Sequence, residues 1–328
     1  MSKRHAKIVG VGKYLPEKIL TNADLEKMVE TSDEWILKRV GIKERRISDE
    51  NTFASDLAIR ASENALKNAG MQAEDLDLII VSSVSPDMYT PSASCLVQKG
   101  LGAVNAAAFD INAACSGFIF AMVTAAQFIE NGAYRNILVI GSDTLSKVTE
   151  YQDRATCVLF GDGAGAAILQ ATEEETGILG YTLGSDGASG DCLTLPGIRV
   201  DAEDKERRPF GNDRTIWMDG SAVFKFAVRV MEQSSRKVVE DAGKTLEDVA
   251  LLVPHQANMR IIEGARKRLG FTEEKVFTNV DKYGNMSAAC VPIAFCEAVE
   301  EGRIQKGDLV VMSSMGGGLT WGAILVEL

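Results

Sequence analysis

Cys115, His255 and Asn285 lie far apart in the chain, yet their types suit a single chemistry. A thiolate attacks thioesters and other acyl carbonyls. An imidazole and a carboxamide can donate hydrogen bonds to the oxygens on which charge then builds. Cys115 stands in Asn112-Ala113-Ala114-Cys115-Ser116-Gly117, between an apolar strand-like run at residues 106–111 and a helix of small residues. His255 stands in Pro254-His255-Gln256-Ala257-Asn258, and Asn285 in Tyr283-Gly284-Asn285-Met286-Ser287. The chain has only two histidines, and His5 sits in a polar N-terminal stretch, so the choice of imidazole is nearly forced.

Each residue also has a plainer explanation. A free cysteine is usually a small buried hydrophobe. Against that, a thiol at a helix start meets free N–H groups and the helix dipole, which favour the thiolate. A histidine can be a satisfied core residue, but His255 follows the apolar run 251–254, at the carboxyl end of a strand, where α/β sheets bind ligands. An asparagine before a helix can be simply an N-cap. Gly316-Gly317-Gly318 can be a tight hairpin, or a backbone N–H offered to an oxyanion. Gly161-x-Gly163-x-Gly165 does not fit the nucleotide-loop spacing, and the residues after it read as a strand, so that reading is rejected.

The elements that must carry these residues repeat. Residues 65–70 followed by 74–81 read as helix, Gly cap, turn and strand; residues 238–243 followed by 247–253 read the same way, 173 positions later. Gly132 and Gly302, each closing a helix, are 170 apart, and that offset sets Asn285 opposite Cys115. The Gly-rich strands that start near Gly161 and Gly317 form a third pair. Apolar runs without polar alternation predict strands buried on both faces, and their alternation with helices predicts α/β layers. Two halves follow, residues 1–174 with the cysteine and residues 175–328 with the histidine and asparagine. The charged stretch 199–214 reads as a solvated loop.

Composition narrows the functions. A net charge of −11 argues against nucleic acid as a partner. Six cysteines with no Cys-x-x-Cys and two histidines make a metal site unexpected; five of the thiols are expected in the core. No apolar run approaches the roughly 18 residues of a membrane span, and the opening residues lack the apolar stretch of a leader. A cytoplasmic protein with no membrane partner is expected.

The chain resembles β-ketoacyl-acyl carrier protein synthase III, of the thiolase-like condensing enzymes. The likeness runs through Ser32-Asp33-Glu34-Trp35-Ile36, Arg39-Val40-Gly41-Ile42, the Cys115 segment, Phe160-Gly161-Asp162-Gly163-Ala164-Gly165, the His255 and Asn285 segments, and Gly316-Gly317-Gly318-Leu319-Thr320-Trp321-Gly322. It implies a five-layered αβαβα fold of two duplicated halves and a homodimer. It implies that Cys115 takes an acyl group from acyl-CoA. Malonyl-acyl carrier protein then loses CO2 and attacks that thioester, giving the 3-oxoacyl-carrier protein that initiates fatty acid synthesis. His255 and Asn285 would stabilise the malonyl oxygen, and the N–H groups of Cys115 and Gly317 would form the oxyanion hole. Trp35, Arg39 and Arg154 would hold the CoA nucleotide, while Gly220, Phe224 and Asn258 would line the pantetheine channel. Arg260, on a basic helix with Arg266, Lys267 and Arg268, would dock the carrier protein. No cofactor is implied, the CoA thioester being a substrate.

Met286, Cys290 and Thr90 depart from the residues common in that family, and Thr90, where an aromatic often limits the acyl pocket, bears on primer choice. Two other enzyme readings stand beside the first. One is a related Cys/His/Asn condensing enzyme of a specialised pathway with another starter. The other is a cysteine hydrolase using His255 as the base for the thiol. A non-catalytic binding scaffold is a further alternative.

Overall fold

The computed structural model describes residues 4–328; residues 1–3, part of the stretch read as lacking a leader, lie outside the described residues. Five strands, β1 (His5–Tyr14), β2 (Leu78–Ser82), β3 (Ala107–Ile111), β4 (Asn136–Thr144) and β5 (Asp162–Thr172), form one sheet in the order β1-β5-β4-β2-β3. Strands β4, β2 and β3 are parallel, and β5 runs antiparallel to both β1 and β4. Four more, β6 (Gly177–Ser185), β7 (Val249–Pro254), β8 (Leu309–Gly316) and β9 (Thr320–Glu327), form a second sheet in the order β7-β8-β9-β6. Its pairing repeats that of the first: β7 and β8 are parallel and the rest antiparallel. In place of β3 the second half has a lone parallel bridge from Leu252 to Val276.

The helices used here are α1 (Asp33–Val40), α2 (Ala54–Ala69), α3 (Ala93–Leu101), α4 (Gly117–Glu130), α5 (Gly220–Asp241), α6 (Met259–Leu269) and α7 (Cys290–Glu300). Strand residues alternate between two cores. Leu78 and Ile80 of β2 and Val310 and Met312 of β8 face inward, onto α4 and α7. Ile79 and Val81 face outward onto α2 and α3. Leu252 and Val311 face outward onto α5 and α6. The order of layers is therefore α2/α3, sheet, α4/α7, sheet, α5/α6, the thiolase-like αβαβα arrangement. Buried on both faces, the strands need no polar alternation. Helix α4 lies between two sheets and buries Phe118, Ile119, Met122, Val123 and Ile129, so it is apolar on nearly every side.

The structure corrects the register of the repeat. The 3-10 turn before α4, Ala114–Ser116, matches the turn before α7, Ser287–Ala289, 173 residues later. Ala114 and Ser287 both have positive φ, 48° and 50°. Helix α7 has 11 residues against 14 in α4, which is why the closing glycines are only 170 apart. At the helix starts Ala288 is therefore the counterpart of Cys115, and Asn285 that of Asn112. The side-chain oxygen of each of those asparagines accepts from the N–H two residues on, 3.2 Å in the first half and 2.9 Å in the second.

Residues 199–214 also depart from the expected solvated loop. They contain a helix, Ala202–Arg207, capped reciprocally by Asp201 and Asp204. Arg208 is 5% exposed. Its guanidinium donates to the Thr215 carbonyl at 2.8 Å and to Thr194 Oγ1 at 2.8 Å. A charge run hides an inward-turned member when backbone carbonyls share its guanidinium with a neighbouring carboxylate, here Asp204 at 3.1 Å. The thiols also divide differently: Cys157, Cys290 and Cys296 are buried, Cys115 and Cys192 partly so, and Cys95 is exposed. Among the described residues no helix is long and apolar enough to cross a membrane.

Candidate active site

A cavity of about 730 Å³ brings the three chemical residues together: Cys115, His255 and Asn285 all line it, with Gly316 and Gly317. Cys115 sits on the 3-10 turn that leads into α4. The Asn112 side chain braces that turn from before, and Ser314 Oγ on β8 donates to the Cys115 carbonyl at 2.7 Å from across the sheet interface. A Cβ on Gly316 would lie 2.5 Å from the Cys115 nitrogen and 3.1 Å from that of Ser116. Only a glycine lets β8 approach the elbow this closely.

His255 follows β7, and its backbone N–H donates to the Ser313 carbonyl of β8 at 2.8 Å. The side chain is 1% exposed, and its Nδ1 has no hydrogen-bond partner. Asn285 is held on both backbone sides: its N–H donates to the Leu159 carbonyl at 2.9 Å and its carbonyl accepts from the Gly161 N–H at 3.0 Å. Its side-chain oxygen is occupied by the Ser287 N–H and lies 3.6 Å from Cys290 Sγ, so the amide NH2 is the free end. The same sulfur is 3.8 Å from the Gln256 carbonyl, so the histidine and asparagine turns touch.

Burial governs the charges. It pushes the Cys115 thiol up to about 12; Ser287 pulls the other way and the Asp143 carboxylate adds to the rise. The helix start was expected to favour the thiolate, but desolvation outweighs it in the resting site, and the thiol is protonated. Asp143, fully buried at the end of β4, is also raised by burial, against hydrogen bonds from Val84, Ser85 and Ser83. The Ser287 hydroxyl lies close enough to lower both groups, though its oxygen makes no hydrogen bond of full geometry. Burial alone lowers His255 to about 3, so its ring is neutral. A neutral, weakly basic ring is poorly suited to deprotonate the thiol, which counts against the hydrolase reading.

The mouth gathers the remaining expected residues. Trp35, Arg39, Gly220, Phe224, Asn258 and Arg260 line the same cavity. Arg154 is not in its wall, but its guanidinium carbon lies 5.0 Å from the Trp35 ring centroid, and that of Arg39 lies 5.5 Å away. Arg260 lies 5.3 Å over Phe224. Asn258 caps α6 by accepting from the Arg260 N–H at 2.8 Å. On the same helix Arg266 is paired with Glu263 at 2.8 Å, leaving Arg260, Lys267 and Arg268 as its exposed cations. Thr90 is exposed, away from the cavity of its own chain.

Sequence reasoning missed one wall. Leu193, Thr194, Leu195, Ile216 and Met218 line the cavity from the segment between β6 and α5, where two short strands pair. Arg208 staples that wall, and no periodicity in the sequence marks it. Asp143 was also missed; its only signal is an acidic residue near the end of a strand whose middle is apolar.

Comparison with known proteins gives consistent results. A family model described as 3-oxoacyl-[acyl-carrier-protein] synthase III matches residues 109–187, and a model of that family's C-terminal part matches residues 239–328. The β-ketoacyl-[acyl-carrier-protein] synthase III of Caldanaerobacter subterraneus subsp. tengcongensis is 56% identical over 324 residues, 98% of this chain and 97% of its own. The crystal structure of 3-oxoacyl-[acyl-carrier-protein] synthase III from Aquifex aeolicus VF5 aligns with a TM-score of 0.92 at 47% identity, covering 98% of this chain and all of the other. The priming β-ketosynthase of the R1128 polyketide pathway also gives a TM-score of 0.92, covering 100% and 97% of the two chains, but at 33% identity.

Proposed function

Because the chain belongs to the β-ketoacyl-[acyl-carrier-protein] synthase III family, we propose that Cys115, His255 and Asn285 carry out that family's condensation in two stages on one cavity floor. The reaction joins an acyl-CoA primer to malonyl-acyl carrier protein and initiates fatty acid synthesis. Relatives 52–56% identical over 98% of the chain are β-ketoacyl-[acyl-carrier-protein] synthases III, which favours this reading over a specialised pathway.

In the first stage the Cys115 sulfur attacks the primer's thioester carbonyl. The tetrahedral oxyanion is held by the N–H groups of Cys115 and Gly317. As the carbon–sulfur bond to CoA breaks, the proton that leaves Cys115 goes to the CoA thiolate, so a thiol protonated at rest suits the step. In the second stage the malonyl group loses CO2, and the electron pair of the broken bond becomes an enolate. The NH2 of Asn285 and the N–H of a neutral His255 donate to its oxygen. The carbanion attacks the acyl thioester, the bond to Cys115 breaks, the departing Cys115 thiolate takes up a proton from solvent, and the 3-oxoacyl-carrier protein leaves. No cofactor is required, since decarboxylation itself generates the nucleophile.

The carrying observation is the convergence of a thiol, a buried neutral imidazole and an oriented carboxamide in one cavity. The Trp35, Arg39 and Arg154 cluster suits the CoA nucleotide, and Gly220, Phe224 and Asn258 suit the pantetheine arm. Exposed Arg260, Lys267 and Arg268 suit an acidic carrier protein. A homodimer through β3 is favoured by its place at the sheet edge and by exposed Met88 and Tyr89 in the nearby loop. We assign the protein to the cytoplasm.

The half-reactions test the roles. Cys115→Ser should lose acyl transfer from acyl-CoA. His255→Ala and Asn285→Ala should still acylate Cys115 but lose malonyl decarboxylation. The reverse pattern would refute the assignment.

A further inference from the structure

Beneath the cavity floor a buried polar network ties the histidine turn to the asparagine turn. Gln256, the residue after His255, is fully buried, and its side chain uses every hydrogen-bonding group it has. Its Nε2 donates to the Pro254 carbonyl at 2.7 Å and to the Phe277 carbonyl at 3.2 Å. Its Oε1 accepts from the N–H groups of Asn279 at 2.9 Å and Val280 at 3.2 Å. The start of the segment that leads to Asn285 is thereby clamped to the neighbour of His255.

Glu297 clamps the other end. It lies on α7, 6% exposed. One carboxylate oxygen accepts from Asn279 Nδ2 at 2.8 Å, the other from the Tyr283 hydroxyl at 2.7 Å. Lys13 Nζ, which also binds Glu300, lies 3.7 Å from Glu297. Tyr283 is two residues before Asn285. None of these groups lines the cavity, and the two stages described above use none of them.

We propose that Gln256, Tyr283 and Glu297 are positioning residues that set the separation of His255 and Asn285, and so act on the decarboxylation stage but not on acylation of Cys115. The inference rests on the roles assigned to His255 and Asn285. Cys115 is braced independently, by Asn112, Ser314 and Gly316, from other elements. A donor pair aimed at one enolate oxygen tolerates little misplacement; a shift of about 1 Å can cost on the order of 100-fold.

The test measures both half-reactions on the full-length protein: acyl transfer from acetyl-CoA to Cys115, and release of labelled CO2 from malonyl-acyl carrier protein. Tyr283→Phe removes one hydroxyl, and Glu297→Met removes the acceptor at nearly equal size. Each should slow decarboxylation about 10- to 100-fold while acylation stays within about twofold. Glu297→Gln should recover most of the loss, since an amide can accept from Asn279 and donate to the Tyr283 oxygen. Ser62→Ala, which deletes a buried hydrogen bond on α2, is the structural control and should change neither. Equal loss of both half-reactions, or intact decarboxylation in Tyr283→Phe and Glu297→Met beside a dead His255→Ala, would overturn the positioning role alone. Intact decarboxylation in His255→Ala and Asn285→Ala would overturn the underlying role assignment as well.

Discussion

Gly316→Ala should disable Cys115 without touching any side chain that does chemistry. The added methyl carbon would stand 2.5 Å from the Cys115 nitrogen, 3.0 Å from Ala114 Cβ and 3.1 Å from the Ser116 nitrogen, where ordinary contact begins at 3.4 Å. The worst contact is therefore about 0.9 Å too short. Two of the three clashing atoms are backbone, so no rotamer change relieves it, and β8 and the elbow must move apart. Overpacking of this kind costs about 1–3 kcal/mol in stability. A displacement approaching 1 Å at the nucleophile costs on the order of 100-fold in rate. Gly317→Ala is the matched control: its added carbon would meet Leu193 at 3.2 Å and beyond, which a few tenths of an ångström would relieve, and the Gly317 N–H is retained. The assay is single-turnover transfer of a labelled acetyl group from acetyl-CoA, followed by intact mass. We expect Gly316→Ala to acylate roughly 100-fold more slowly than the parent and Gly317→Ala to stay within about tenfold. Parent-like acylation by Gly316→Ala, or a deeper loss in Gly317→Ala, would refute the claim that close backbone approach sets the elbow.

Three further outcomes are expected. Trp35→Ala should raise KM for acyl-CoA about tenfold with kcat little changed, as loss of uniform binding does in steady-state kinetics. His255, lowered from its ordinary 6.5 to about 3 by burial, stabilises the fold fully above pH 6.5, and that contribution is lost as pH falls from 6.5 toward 3; thermal melts of His255→Asn should show a shallower acid slope over that window. With Cys115 raised to about 12, its alkylation by iodoacetamide should keep accelerating about tenfold per pH unit well past pH 9, where an ordinary thiol levels off.

The fold was legible because its strands are buried on both faces and so carry unbroken apolar runs, and because glycines close the helices that precede them. Residues 78–82 and 249–254 show both signals. The register between halves was not legible, since α7 lost nearly a turn relative to α4 and the closing glycines record only the total offset. Cys115 stood out by its elbow of small residues, and His255 by scarcity. The resting charge state of the thiol could not be read, because a helix start and burial oppose each other and only the packed structure decides between them. Arg208 and Glu297 were illegible for a related reason: whether a charged side chain turns inward depends on partners such as Thr194, Thr215, Asn279 and Tyr283, which folding brings from elsewhere in the chain.

Intact-protein mass measurement across one turnover tests the central claim most directly. Acetyl-CoA should add one acetyl group, confined to the peptide containing Cys115, and malonyl-acyl carrier protein should then discharge it with the appearance of a 3-oxoacyl-carrier protein. An adduct on any other residue, or one on Cys115 that malonyl-acyl carrier protein leaves in place, would contradict it.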